Sequence, residues 1–254
     1  MIYLTRVVRG LCFASGFCYG PSVGSTTLLS VTGPSLSKTN SFSAAKTVLP
    51  HLLAGVDRSF YCGCRMQFPY LNVDSCAISQ ELAFAARRDS VELEHVVPAS
   101  LLKQRIVGLQ KNRVVYNKCS RNSRHCYGQI SIIYKHAEGD LHNLRPVSGK
   151  LNRLRSRKEM TMIDQYAKKQ GCGFKVTSTK FEPPDGKKGD IARIYLYMND
   201  KYLDLKILPQ DKVEMFLSWH KNDPVSVEEK IYNQRIYKIQ GDFNPYIENI
   251  QITK

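Results

Sequence analysis

The spacing of apolar positions changes several times along this chain, and each change predicts an element. Ser41-Phe-Ser43 followed by Ala44-Ala-Lys-Thr-Val-Leu49 repeats its apolar residues close to a helical turn behind a serine cap, which predicts a first helix within residues 41–54. From 60 to 77 the pattern turns to aromatic residues, cysteines and single polar residues, the mark of short strands and loops. Arg87, Arg88 and Asp89 lead into Glu92-Leu-Glu-His95, a strand that bends near Pro98, because proline cannot donate to a ladder and biases Val97 to extended or turn geometry. Within 140–157, Leu141, Leu144 and Val147 lie three residues apart behind Asp140, a reasonable cap, so a turn into a helix is expected with Pro146 in a distorted first turn. Phe181-Glu-Pro-Pro-Asp-Gly-Lys-Lys-Gly189 breaks any regular element. Three helices are expected after it, at 190–199, 209–221 and 226–239. The second carries Val213, Phe216, Leu217 and the single tryptophan, Trp219, and the third opens with the capping-box pattern Ser226-Val-Glu-Glu229. The sum is one α+β domain, mostly helical, with no internal repeat or low-complexity segment.

Charge changes the picture more than length does. At 254 residues the chain is long enough for a real core, and its formal net charge of +15 points to polyanionic partners such as DNA, RNA or an anionic membrane surface. Arg6 and Arg9 precede Leu11-Cys-Phe-Ala-Ser-Gly-Phe-Cys-Tyr19, and no charge recurs before Lys38, the order of an export signal. Glycines, serines and Pro21 interrupt this stretch, which is too polar for a spanning helix, so residues 1–37 are expected to be a cleaved signal or a disordered segment and 38–254 the folded domain. Removing 1–37 takes away two of 37 basic residues and none of the 22 acids, so the remainder stays strongly positive. It also takes Cys12 and Cys18, leaving six cysteines, an even number that suggests bridges in an oxidising compartment. Cys62 and Cys64 are too close to pair comfortably with each other. Zinc is the rival reading, but the Cys-x2-Cys spacing of a zinc knuckle is missing at this pair.

Two stretches carry candidate chemistry: Glu92-Leu-Glu-His-Val-Val-Pro-Ala-Ser100 and Asp140-Leu-His-Asn-Leu-Arg-Pro-Val-Ser-Gly149. Each sets a hard oxygen donor beside a histidine. A phosphodiester repels nucleophiles, so cutting it requires hydroxide made at neutral pH, neutralised charge and a stabilised leaving oxygen. His95 titrates near working pH and suits the proton transfer, while Glu94 and the amide oxygen of Asn143 are ligands that Mg2+ accepts while keeping several waters. A Glu-His pair also arises by chance, and neighbours on a regular strand point to opposite faces, so one shared site needs a bend near Pro98. The interval 101–135 is the most basic, with Lys103, Arg105, Lys111, Arg113, Lys118, Arg121, Arg124 and Lys135. It reads either as a solvated loop or as a rim that contacts phosphates. Tyr116, Tyr127 and Tyr134 are candidates for base stacking or for core packing. His142 suits a supporting or a structural role.

Tyr61-Cys-Gly-Cys64, Asp74-Ser-Cys76, Glu92-Leu-Glu-His-Val-Val-Pro-Ala99, Asp140-Leu-His-Asn-Leu144, Lys150-Leu-Asn-Arg-Leu-Arg-Ser156, Gly189-Asp-Ile-Ala-Arg-Ile-Tyr-Leu-Tyr-Met198 and Gln240-Gly-Asp-Phe-Asn-Pro-Tyr246 closely resemble, in this order, the bacterial endonuclease I family of secreted or periplasmic nucleases. The resemblance implies a ββα-metal, or His-Me finger, core with one catalytic divalent ion: Mg2+, or Ca2+ or Mn2+ in its place. It implies His95 as general base, Glu94 and Asn143 as metal ligands, and an arginine between the two blocks on the phosphate. There the chain departs from the family pattern, with extra residues between Ala99 and Cys119 and a shorter gap to Cys126. Arg124 fits best, with Arg121 and Arg113 left open. Val227-Glu-Glu229 stands where some members carry Trp-Glu and a further cysteine, so the family's bridges do not transfer intact. The implied activity is endonucleolytic cleavage of DNA, and of RNA, with little sequence preference and 5'-phosphate products, by a periplasmic or secreted monomer that does not enter membranes. The rival classes are a basic nucleic-acid-binding protein without turnover and a zinc-stabilised structural protein.

Overall fold

Ser41 accepts the Ala44 N–H and opens helix α1, Phe42–Leu52, which buries Ala45, Leu49 and Leu52, as the spacing predicts. The computed structural model describes residues 40–78, 90–109, 119 and 124–248. The expected signal at 1–37 therefore lies outside the described residues, as do Arg87, Arg88, Asp89, Arg113, Tyr116 and Arg121.

After α1 comes a small antiparallel hairpin of β1, Met66–Gln67, and β2, Tyr70–Leu71. The element that matters for function is a second antiparallel pair, β3, Val91–His95, with β4, Leu144–Ser148, in which Glu94 lies opposite Arg145 and His95 opposite Leu144. The expected helix over 140–157 is corrected here. Asp140 does cap, but it caps a single 3-10 turn, Leu141–Asn143, and β4 intervenes before helix α5, Gly149–Arg155, starts behind its own cap, Ser148. Pro146 is tolerated in β4 because its carbonyl accepts the Phe60 N–H at 2.7 Å on the edge away from β3. A residue's N–H and C=O point to the same edge of a strand, so the N–H that proline lacks removes nothing from the β3–β4 ladder. The three-residue spacing that suggested a helix instead serves two cores. Leu141 and Leu144 pack with α1, and Val147 packs with the cluster that contains Val96 and Val97.

Much of the basic interval is helical: α2, Ala99–Leu109, α3, Arg124–Ile130, and α4, Ile132–Gly139. Gly139 is required where it stands, because a Cβ there would collide with the Ser41 backbone; α1 thus lies against α4. A three-stranded sheet follows, with β7, Lys180–Glu182, between β5, Glu159–Met160, and β6, Lys175–Val176. The three C-terminal helices form as expected within two residues at each end: α6, Lys188–Lys201, α7, Gln210–Asn222, and α8, Val227–Gln240. Helix α6 is buried from Gly189 to Met198, and the capping box of Ser226 and Glu229 is present. Phe216 and Trp219 join the core, whereas Leu217 faces solvent.

The six cysteines of the domain form three bridges, Cys62–Cys172, Cys64–Cys76 and Cys119–Cys126. All described residues belong to one compact unit, Ser35–Lys254, with mixed α+β architecture. Among them no helix is long and apolar enough to cross a membrane.

Candidate active-site cleft

An open cleft of about 430 Å³ runs along the end of β3, and Glu92, Glu94, His95, Arg124, Asn152 and Arg155 line it. Glu94 is almost wholly buried. Its Oε1 accepts the Tyr61 hydroxyl at 3.2 Å and pairs with Arg155 Nη1 at 3.0 Å, while no described residue donates to Oε2. Burial pushes the carboxyl up to about 7, against the opposing pull of Arg155 and Tyr61. Arg155, the last residue of α5, is itself fully buried. It also donates to the His95 carbonyl at 2.9 Å and the Val96 carbonyl at 2.5 Å, so one guanidinium holds both a cleft side chain and the backbone of its neighbour.

His95 leaves β3 on the opposite face. Its Nε2 lies 2.9 Å from the Glu138 carbonyl at the end of α4, and its ring packs on Phe42 of α1. A carbonyl only accepts, so Nε2 carries the hydrogen and Nδ1 keeps its lone pair. Burial, reinforced by the nearby Arg124 guanidinium, lowers the imidazole to about 3, so it is neutral throughout the physiological range. Arg124, on the first turn of α3, is more than half exposed, with Nε 3.7 Å from Glu138 Oε1. The Cys119–Cys126 bridge anchors this turn.

Asn143 does not reach the cleft. It is completely buried, its Oδ1 accepts the Val97 N–H at 2.7 Å, and its Nδ2 donates to the Val97 carbonyl at 3.0 Å. The amide clamps the backbone just past β3, and Asn143 is not among the residues that line the cleft. The amide that lines the cleft is Asn152 on α5, whose Nδ2 donates to Glu92 Oε2 at 2.9 Å, with no described donor on its Oδ1. The sequence did hold a signal for this residue. Asn152 and Arg155 are three apart on a helix and so share a face. That face was hidden by starting the helix at 140, which brought Asn143 to its first turn.

His142 is buried behind the cleft, with Nε2 3.1 Å from the Asp242 carbonyl and its ring against Tyr197. Tyr127 and Tyr134 pack in the core. The disulfides account for the sulfur of all six cysteines in the domain, and among the described residues no group of three or more His, Cys, Asp or Glu is arranged to hold a metal. What the cleft does present is two hard oxygens to which no described residue donates, Glu94 Oε2 and Asn152 Oδ1. This donor set suits a cation that takes few protein ligands and retains its waters.

The model of the family described as Endonuclease I matches residues 60–251. Over 221 residues the chain is 33% identical to Endonuclease-1 of Buchnera aphidicola subsp. Baizongia pistaciae (strain Bp), covering 81% of this chain and 82% of that protein. It is 32% identical over 238 residues to a periplasmic deoxyribonuclease of Aeromonas hydrophila, covering 89% and 93%. A shorter match, 33% identical over 127 residues and covering 43% of each chain, is to an extracellular ribonuclease of Bacillus subtilis (strain 168).

Proposed function

Since the chain belongs to the endonuclease I family and is thus a nuclease, we propose that it is a metal-dependent endonuclease of low sequence specificity, cutting DNA and RNA in the cleft at the end of β3. The observation that carries this reading is His95, held through Nε2 so that Nδ1 is the accepting nitrogen, in the same cleft as two hard oxygens to which no described residue donates. The β3–β4 pair followed by α5 is then the ββα-metal, or His-Me finger, core.

In this mechanism His95 Nδ1 takes a proton from water, the resulting hydroxide attacks phosphorus, and the bond to the 3'-oxygen breaks; that oxygen takes a proton from a second water to leave as the 3'-hydroxyl, and the other product carries the 5'-phosphate. Glu94 and Asn152 would hold one divalent ion, Mg2+ or, in its place, Ca2+ or Mn2+; Asn143 keeps the backbone beside them in place. When bound, such an ion supplies positive charge to the phosphate and the leaving oxygen. Arg124 steadies the phosphate from the other wall, and the surrounding lysines and arginines meet backbone phosphates, which carry no sequence information. Residues 1–37 act as an export signal for the nuclease domain at 38–254, which works as a monomer in the periplasm or outside the cell. Three disulfides and the periplasmic and extracellular relatives support that location.

The deciding experiment is nicking of supercoiled plasmid by the disulfide-bonded protein with Mg2+ and with chelator. Nicking that needs the ion is expected. Tight DNA binding without cleavage under either condition would show a basic binding protein instead.

A further inference from the structure

Beside the cleft lies a second cavity of about 280 Å³, and the two share Pro98, Ser100 and Arg157 in their walls. Its character is different. Met160, Tyr195, Leu208 and Phe216 make an apolar floor, and each of the four is buried. Two of the cations at its rim are already engaged: Lys212 pairs with Glu159 at 2.9 Å, and Lys158 donates to the Leu154 carbonyl at 2.7 Å. Arg105 and Arg157 are not. Among the described residues no carboxylate or carbonyl meets either guanidinium, and Arg105 Nε is buried without an acceptor.

An occupant that satisfies this cavity has a flat apolar body and anionic groups at its edges, one of them beside the cleft. A lone phosphate leaves the floor unfilled, and an apolar side chain leaves two arginines without anions. We propose that the cavity takes the base of one unpaired nucleotide directly next to the scissile phosphate, with Arg105 and Arg157 on the adjoining phosphates. The inference rests on the reading of the cleft as the cutting centre. A base stacked within a duplex cannot reach the floor, so the strand is cut where it is single or locally opened, and the cavity makes unpaired DNA or RNA the better substrate.

End-labelled single-stranded 20-mers, intact or carrying one abasic position, are incubated with the disulfide-bonded protein and Mg2+, and the cut bonds are mapped. Loss of a stacked base is expected to reduce cutting of one neighbouring bond, always on the same side of the gap, by about 5- to 150-fold, with distant bonds unaffected. Leu101→Trp, which fills the wall, is expected to bring intact and abasic strands within twofold at that bond. Arg105→Gln is expected to lower cutting of single strands relative to duplex, and it decides the matter if Leu101→Trp does not fold. A flat abasic map in a protein that nicks plasmid overturns the cavity's role and leaves the nuclease reading intact. So does a gap that persists in a folded Leu101→Trp. Absence of any cutting by the unaltered protein overturns the nuclease reading itself, and with it this inference.

Discussion

Replacing Arg155 with methionine tests how the cleft is held. The guanidinium and the Glu94 carboxylate are 1% and 3% exposed and 3.0 Å apart, and the same guanidinium satisfies the His95 and Val96 carbonyls. Removing one partner of a buried ion pair strands the other, at a cost of about 3–5 kcal/mol. That is a large share of the roughly 5–15 kcal/mol that stabilises a domain. At about 2–4 °C per kcal/mol for a chain of this size, the melting temperature should fall by roughly 6–20 °C. The cost should also depend on pH. Burial already raises Glu94 from 4.5 to about 7 with Arg155 beside it, so the folded state binds the proton more tightly than the unfolded state, and stability falls as pH rises through that window. Without Arg155 the folded value climbs further, so Arg155→Met should be more destabilising at pH 8 than at pH 6. Glu94→Gln in the same background should recover much of the loss, because no charge is then stranded. The single tryptophan, Trp219, is buried, so urea unfolding with chelator present can be followed by its fluorescence. A loss below about 1 kcal/mol, or the same loss at both pH values, would refute the claim that this pair is a stressed, dry contact.

Three further outcomes follow from the same geometry. His95→Ala should lower turnover by about two to four orders of magnitude while DNA binding and the Mg2+ midpoint hold; a shifted midpoint would make the histidine a ligand. Asn152→Ala should raise the Mg2+ concentration needed for nicking with little change in melting temperature. Asn143→Ala, which leaves the Val97 N–H and C=O buried without partners, should instead cost about 1–3 kcal/mol for each group in an unfolding titration; the reverse pattern would return the ligand role to Asn143. Binding of the His95→Ala protein to duplex DNA should weaken with salt at a log–log slope of about 0.9 for each phosphate neutralised, and a flat response would sink the backbone-contact model.

Local chemistry was legible wherever it was self-contained. The caps at Ser41 and Ser226 and the breakers before α6 act within a few residues, so the helices they bound fell close to their expected limits. Strand β4 was not legible, because it is buried at all five positions and so lacks the alternation that marks a half-exposed strand. Its leucines and valine then matched a helical spacing by default. Helices α2, α3 and α4 were hidden for a related reason: Lys103, Arg105, Arg124 and Lys135 are spread over all three, so the interval read as a charged loop. The error over Asn143 was inherited from β4. Once the helix was drawn from 140, the first asparagine stood at its start, and the one that lines the cleft stood about two and a half turns further on.

The adjacency of Glu94 and His95 posed a harder problem, since neighbours on a strand face opposite ways and one shared site needs a bend near Pro98. The bend lies where Pro98 places it: β3 pairs with β4 residue by residue through His95, and the chain bends directly after it, at Val96 and Val97. The cleft wraps this end of the strand and takes one residue from each face. Each face has its own anchor, Arg155 and Tyr61 for Glu94, and the Glu138 carbonyl and Phe42 for His95. The separation has a chemical consequence. A carboxylate hydrogen-bonded to an imidazole raises its proton affinity, and an imidazolium cannot accept a proton from water. Because the strand turns Glu94 away, the strongest influences on His95 are burial and the Arg124 charge, and both keep it neutral. In the proposed mechanism, the alternation that argued against a shared site is what would let a base and a carboxylate work side by side without neutralising each other.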